Sequence, residues 1–479
     1  MAEEHRPKDR DAANDDKPLG VRSMGFAGPR TTGTLGRVVA VVSWLFVLIS
    51  AALPYFYVRA FGVNVVFADA WDMVPVFRKW FHGQLTFADL YAQHLEHRMF
   101  FPRGAELLLG ILTKYNNVAE MYLIVSCFVI TAAVLFVAFR REIDLPLIFF
   151  VPIALLIFSF RQYENMLWGF QISFAFTQTF GVLALYLLYA SSRNDLKKPA
   201  FAAALGSATV ASFSTAQGLL VWPAGLLGLL LWSVRRPGKK VLLGIWGLVG
   251  IAEWVAYFVG YQRPQGHPPL LDALGHIRTV AEYFLTLLGS ALFWQQEHAL
   301  AGGLVMVCLA LGIFLAMYGR GVLRQHPFWI SLLFYSLFIL ATITLGRSGM
   351  FGVWQAAISR YTTFSVLAAA SVYAMLAKVV FTIRAGDVRT ALLVVLFGAM
   401  LLNAGFSYRN GIEAGRAQEV YRERAAHVLK TYESQRDARL AVLYPHPETV
   451  RRRAPFLERL GYNVFSEPLP QNVSARHND

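Results

Sequence analysis

The sequence predicts an all-α integral membrane protein with about eleven transmembrane helices, and three observations carry that reading. Of the 479 residues, 56% are apolar and only 15% are charged, too little charge to keep the surface of a soluble protein wet. The apolar residues come in blocks of about 16–22, the length that crosses roughly 30 Å of hydrocarbon as a helix. A membrane barrel would instead show alternating segments of about ten residues. Finally, Lys and Arg recur at every second connection between the blocks.

The expected spans lie near 38–58, 118–139, 145–160, 172–190, 199–215, 219–234, 241–261, 301–318, 329–346, 365–382 and 390–408. Arg140/Arg141, Arg193/Lys197/Lys198, Arg235/Arg236/Lys239/Lys240, Arg320/Arg324 and Arg384/Arg389 mark alternate loops. Under the positive-inside rule, this alternation places the N-terminus in the cytoplasm and the C-terminus outside. Residues 104–114 and 280–294 are apolar but short. Counting either alone as a span would invert every later loop, so both read as interfacial or re-entrant helices on the outer side.

The organisation that follows is a disordered cytoplasmic tail over 1–37, a transmembrane catalytic domain over 38–408 and a C-terminal outer appendage over 409–479. The domain carries a first outer loop, 59–117, and another at 262–300. The appendage opens with a charged helical pattern and continues through a strand-like LAVLYP, giving a small α/β unit. The net charge of +14 is spread over short loops and the tail. Beside membrane segments such charge sets topology and touches anionic lipid, and nucleic acid is not an expected partner. Cys127 and Cys308 fall inside apolar blocks, as small hydrophobes do, and offer neither a disulfide framework nor a thiolate metal site.

Ionisable and polar groups mark function in a membrane protein, and here they gather in the outer loops. Asp69 and Asp72 stand three apart beside Phe67 and Trp71, so one helical turn puts both carboxylates on one face. They suit a general base, or shared ligation of a divalent metal such as Mg or Mn. His94, Glu96, His97, Arg98 and Arg103 follow within ten residues, without the spacing of a zinc protease. Arg98 and Arg103 suit a phosphate. The outer turn RQYENMLWGFQ supplies Glu164, Asn165 and Gln171 beside Trp168, more polar groups than a cap requires and a wall suited to a sugar ring. Arg347, Arg360 and Tyr361 flank another outer loop, where two arginines suit a lipid-linked phosphate. Glu253 sits inside a span, which is a functional signal by default. His267, His276 and His298 are too scattered to form a site.

In layout the chain resembles the GT-C class of membrane glycosyltransferases. The likeness rests on a first span followed by a long acidic outer loop with Asp69 and Asp72, on about eleven spans with short re-entrant outer helices, and on the C-terminal outer appendage. The segments ENMLWGFQ and SRYTTFS also resemble stretches of bacterial membrane proteins of this type. The resemblance implies transfer of a hexosyl or pentosyl unit from a polyprenyl-phosphate carrier to a glycan, lipid or protein acceptor, on the periplasmic side of the inner membrane. It implies a base or metal-binding role for Asp69 or Asp72, and a phosphate-holding role for Arg360 and Arg98. Its commonest first-loop patterns set their acids differently, which leaves the choice between the two Asp residues open. The rival readings are a lipid-linked polysaccharide polymerase or ligase, with its site on Arg263, His267 and Arg278, a flippase using a central polar path, and a scaffold.

Overall fold

The computed structural model describes residues 33–193, 198–231, 238–266, 270–350 and 352–466. The N-terminal tail up to residue 32, His267, and the loop cations Lys197, Arg235 and Arg236 lie outside that set. Among the described residues, nine helices are long and apolar enough to cross a membrane. They run over Thr34–Phe61, Asn117–Ile143, Leu147–Leu167, Gly169–Ser191, Gly238–Phe258, Gln296–Gly319, Pro327–Arg347, Ser359–Phe381 and Gly386–Lys430. The chain is thus an all-α polytopic membrane protein.

Each of the eleven expected spans coincides with a helix, but two are short in their described lengths. Lys198–Ser212 and Ala216–Leu231 fall below the ~20 residues of a crossing. They meet at the polar turn Phe213–Thr215, where Trp222 Nε1 donates to Ser212 Oγ at 2.9 Å. The two short apolar segments form Phe100–Thr113 and Ile277–Gly289, also below crossing length. The second is seated by glycine, since a Cβ on Gly303 would lie 1.8 Å from the Leu285 carbonyl oxygen. Only backbone against backbone fits there.

Three of the basic connections meet at one end of the bundle. There Lys378 Nζ donates to Ile143 O at 2.7 Å and Arg320 to Thr382 Oγ1 at 2.8 Å. At the other end the first loop packs with the C-terminal segment into an apolar core of its own. Trp71, Phe77 and Val74 from the loop meet Leu443, Val450 and Leu457 there.

Two expectations about the C-terminus change. The boundary at 408/409 falls inside one continuous helix of 45 residues, Gly386–Lys430. At ~1.5 Å per residue it is about twice the length a bilayer requires. The LAVLYP run is not a strand but a set of turns after a short helix, Asp437–Leu440, and the regular elements of the described appendage are all helices. The reason is that Leu440 and Leu443, three apart, both point into the shared core, which a two-residue strand alternation would prevent. Cys127 is buried, whereas Cys308 faces outward.

Candidate active site

Leaving the first span at Gly62, the chain makes a tight 3-10 turn over Ala68–Met73. Three residues per turn bring positions i and i+3 into line, so Asp69 and Asp72 project together while Trp71 between them is fully buried. A small antiparallel hairpin, Gln93–Arg98, then presents His94 to both acids. His94 Nε2 lies 3.8 Å from an Asp69 oxygen, and Nδ1 lies 3.3 Å from Asp72 Oδ2. One imidazole therefore bridges two carboxylates. Burial alone would push its pKa down, but hydrogen bonding and charge from the two acids outweigh that and raise it to about 9. At neutral pH it is an imidazolium.

Asp72 takes a second cation from the far end of the chain, Arg453, whose Nη1 donates to Asp72 Oδ1 at 2.8 Å. Burial pushes the Asp72 carboxyl up, yet His94 and Arg453 together hold it below the usual carboxylate range. His97 behaves oppositely. It is buried, which pushes its pKa down to about 4, and its Nδ1 accepts the Ala216 N–H at 3.2 Å. That bond fixes the proton of the neutral ring on Nε2.

Asp69, His94, Glu96 and His97 open onto a cavity of about 460 Å³ at this end of the bundle. Gln171, Arg347, Arg360 and Tyr361 line it from the ends of three spans. Eight of the thirteen site residues expected from sequence thus share one cavity, although they are spread over nearly 300 positions of chain. Glu96 accepts from Arg347 Nη2 at 2.5 Å. Arg360 is held more loosely, with Nε 4.0 Å from Glu164 Oε2. The remaining wall is largely aromatic and aliphatic, including Phe170, Phe174, Trp254, Phe258 and Tyr261. Arginines beside an apolar wall suit an anionic head on an apolar tail, and the volume lies within the ~300–1,000 Å³ of small-molecule sites.

Five expected residues do not line the cavity. Asp72 lies behind His94. Glu164 and Asn165 support Arg360 from beneath: Glu164 Oε2 accepts the Arg360 N–H at 3.0 Å, and Asn165 Nδ2 donates to Arg360 O at 2.8 Å. Arg98 and Arg103, expected to hold phosphate, are buried and turned to backbone. Arg98 donates to Tyr257 O at 2.7 Å, Val259 O at 2.6 Å and Tyr91 O at 3.2 Å. Arg103 donates to Leu90 O at 3.1 Å and also to Ala92 O. Tyr257 and Val259 stand at the C-terminal end of the Gly238–Phe258 helix, and Leu90, Tyr91 and Ala92 in the irregular first loop. Carbonyls at both places lack regular partners, and the guanidiniums satisfy them. Arg98→Ala should therefore cost about 2–4 kcal/mol, by stranding buried acceptors. Folded yield and Tm in detergent should fall accordingly.

Glu253 is likewise accounted for structurally, since Thr209 and Trp222 both donate to it, the latter at 3.2 Å. Residues missed from sequence include Trp254, Tyr257, Phe258 and Tyr261 on the cavity, while Arg263, expected only by the polymerase or ligase reading, lines it too. The aromatic density of WVAYFVGYQR was their available signal. Arg453 has no local signal, because its partner lies 381 positions away.

The acids do not fit a divalent metal. Among the described residues, no group of three or more His, Cys, Asp and Glu is placed to hold one. Hard cations take about six oxygens, whereas here the His94 ring already stands between the two carboxylates and Arg453 takes the second oxygen of Asp72.

No family model matches the chain. An uncharacterized protein of Archaeoglobus fulgidus is 25% identical over 238 residues, which are 45% of this chain and 60% of that protein. Among solved structures, the crystal structure of the Archaeoglobus fulgidus oligosaccharyltransferase, in complex with zinc and sulfate, aligns with a TM-score of 0.43 and 16% identity. That alignment covers 91% of this chain and 58% of the oligosaccharyltransferase. The chain spans about three-fifths of the length of each.

Proposed function

We propose that the chain is a GT-C-like membrane glycosyltransferase. In this reading it moves a sugar from a polyprenyl-phosphate carrier to a glycan, lipid or protein acceptor. It works on the periplasmic face of a bacterial inner membrane, with its N-terminus in the cytoplasm. The observation that supports this reading is that Asp69, Arg347 and Arg360 line one cavity with an apolar wall.

The chemistry then divides among these residues. Arg347 and Arg360 neutralise the phosphate as the bond between the sugar's anomeric carbon and the phosphate oxygen breaks. The acceptor hydroxyl forms the new glycosidic bond and gives its proton to the Asp69 carboxylate. His94, as imidazolium, holds Asp69 in place, and Gln171 and Tyr361 offer polar contacts to the sugar. Carrier phosphate leaves with both electrons of the broken bond and stays charge-paired with the arginines.

A second reading has one observation in its favour. Arg263, which a lipid-linked polysaccharide polymerase or ligase would use, also lines the cavity. Its expected companion Arg278 is instead exposed and paired with Glu282 at 2.8 Å.

The deciding experiment reconstitutes the protein in nanodiscs with polyprenyl-phosphate sugars and follows label into acceptor. Wild type should transfer, and Arg360→Gln should raise the donor KM roughly 10–100-fold, the value of one charge-assisted hydrogen bond. Movement of the sugar headgroup across vesicles without any new glycosidic bond would establish a flippase instead.

A further inference from the structure

Among the hydrogen bonds between the C-terminal segment and the first loop, those of Asn463, Leu443 and Arg453 lead up to the acidic cluster. At the start of the loop, the Val66 N–H donates to Asn463 Oδ1 at 3.0 Å. Asn463 Nδ2 in turn donates to Tyr115 O at 2.9 Å and to Asn117 Oδ1 at 3.0 Å. Asn463 is fully buried and adopts a left-handed φ of 55°, a conformation Asn tolerates better than most residues. One residue thus ties together both ends of the first long loop. In the middle, the Ala68 N–H donates to Leu443 O at 2.8 Å, immediately before Asp69. At the acids themselves, Arg453 Nη1 donates to Trp71 O at 2.7 Å and to Asp72 Oδ1 at 2.8 Å. The shared apolar core of Trp71, Phe77, Leu443 and Leu457 lies beneath these contacts.

We propose that the C-terminal segment is a positioning clamp for the first-loop acids, with Arg453 as the residue that orients Asp72, and through it His94 and Asp69. Arg453 does not line the cavity, and Asp72 does not either, so neither is placed to touch donor or acceptor. Their geometry still reaches the cavity through one imidazole. If Asp72 swings away, His94 loses one of its two carboxylate partners and Asp69 loses its fixed neighbour. Backbone and carboxylate are both gripped by Nη1 of one guanidinium, which Lys reproduces in charge but not in the fixed planar direction of its N–H groups. The inference rests on the glycosyltransferase reading for its kinetic arm and on the fold alone for its structural arm.

The test uses the full-length chain in nanodiscs, carrying Arg453→Ala, Arg453→Lys or Arg451→Ala. Arg451 is the control: it stands on the same helix, Pro447–Leu460, and is bound to Asp437 at 2.6 Å without touching the first loop. Hydrogen exchange is followed at residues 63–75 and 93–98, together with transfer kinetics. Arg453→Ala should speed exchange in both segments, with the spans unchanged, and should lower kcat roughly 10–100-fold with donor KM within about 2-fold. Arg453→Lys should recover part of both losses, and Arg451→Ala should match wild type. The proposal is overturned if Arg453→Ala exchanges and turns over like wild type. It is equally overturned if Arg451→Ala falls as far, since the effect would then be general loosening of the appendage. Should wild type transfer no sugar, the glycosyltransferase reading fails, and the exchange arm still decides whether Arg453 sets the loop.

Discussion

Asp69→Asn should lower kcat for sugar transfer by roughly 10²–10⁴-fold, the range typical of removing a general base, with donor binding retained. Asp69 is the acid of the pair that faces the cavity, and its side chain is 40% exposed, open enough to meet an acceptor hydroxyl. Asn keeps the shape and the place beside His94, 3.8 Å from its Nε2, but cannot take a proton. Asp72→Asn should act differently. Its carboxylate lies off the cavity between His94 and Arg453, so the variant should lose less turnover and more thermal stability. The check is single-turnover transfer in membranes at matched expression, beside a donor-binding measurement. Equal rates for wild type and Asp69→Asn would remove Asp69 from the chemistry. A larger loss in Asp72→Asn than in Asp69→Asn would exchange their roles.

The second large effect is a pH limb belonging to His94. Its folded-state pKa of about 9 lies above the ordinary 6.5 because Asp69 and Asp72 outweigh the effect of burial. A raised value means that the charged form is the one the fold stabilises. Its contribution to stability is therefore complete below about 6.5 and is lost as pH rises through about 9. Wild-type kcat and Tm should both decline across that window as the bridge between the acids loses its charge. His94→Gln should be slower by roughly 10²-fold, the scale of a misplaced catalytic group, and should show no limb in the alkaline range. The measurement is a pH profile of kcat and Tm for both proteins from pH 6 to 10. A variant that keeps the wild-type alkaline limb would assign it to another group.

The pairing of Asp69 with Asp72 was legible in the sequence because a spacing of three is a local property, and the 3-10 turn over Ala68–Met73 preserves it. The partners of the arginines were not. Arg98 and Arg103 looked like phosphate ligands because sequence shows charge without burial. Their guanidiniums serve carbonyl oxygens at the end of the Gly238–Phe258 helix and in the first loop, places brought together only by the fold. Arg347 and Arg360 present the same ambiguity in sequence, yet their places at helix ends turn them toward the cavity.

By itself the sequence determined that this is a helical membrane protein, that apolar blocks recur at bilayer length, and that alternate loops carry the basic residues. Those are consequences of solvation: hydrocarbon demands long apolar helices whatever they pack against. Only the tertiary structure decided that the first long loop and the C-terminal segment share one core, and that Asp72 meets Arg453 across 381 positions. It alone set Asp69, Arg347 and Arg360 around one cavity. Such pairings depend on which helix ends become neighbours, and that is settled by packing of the whole bundle rather than by any local run of residues.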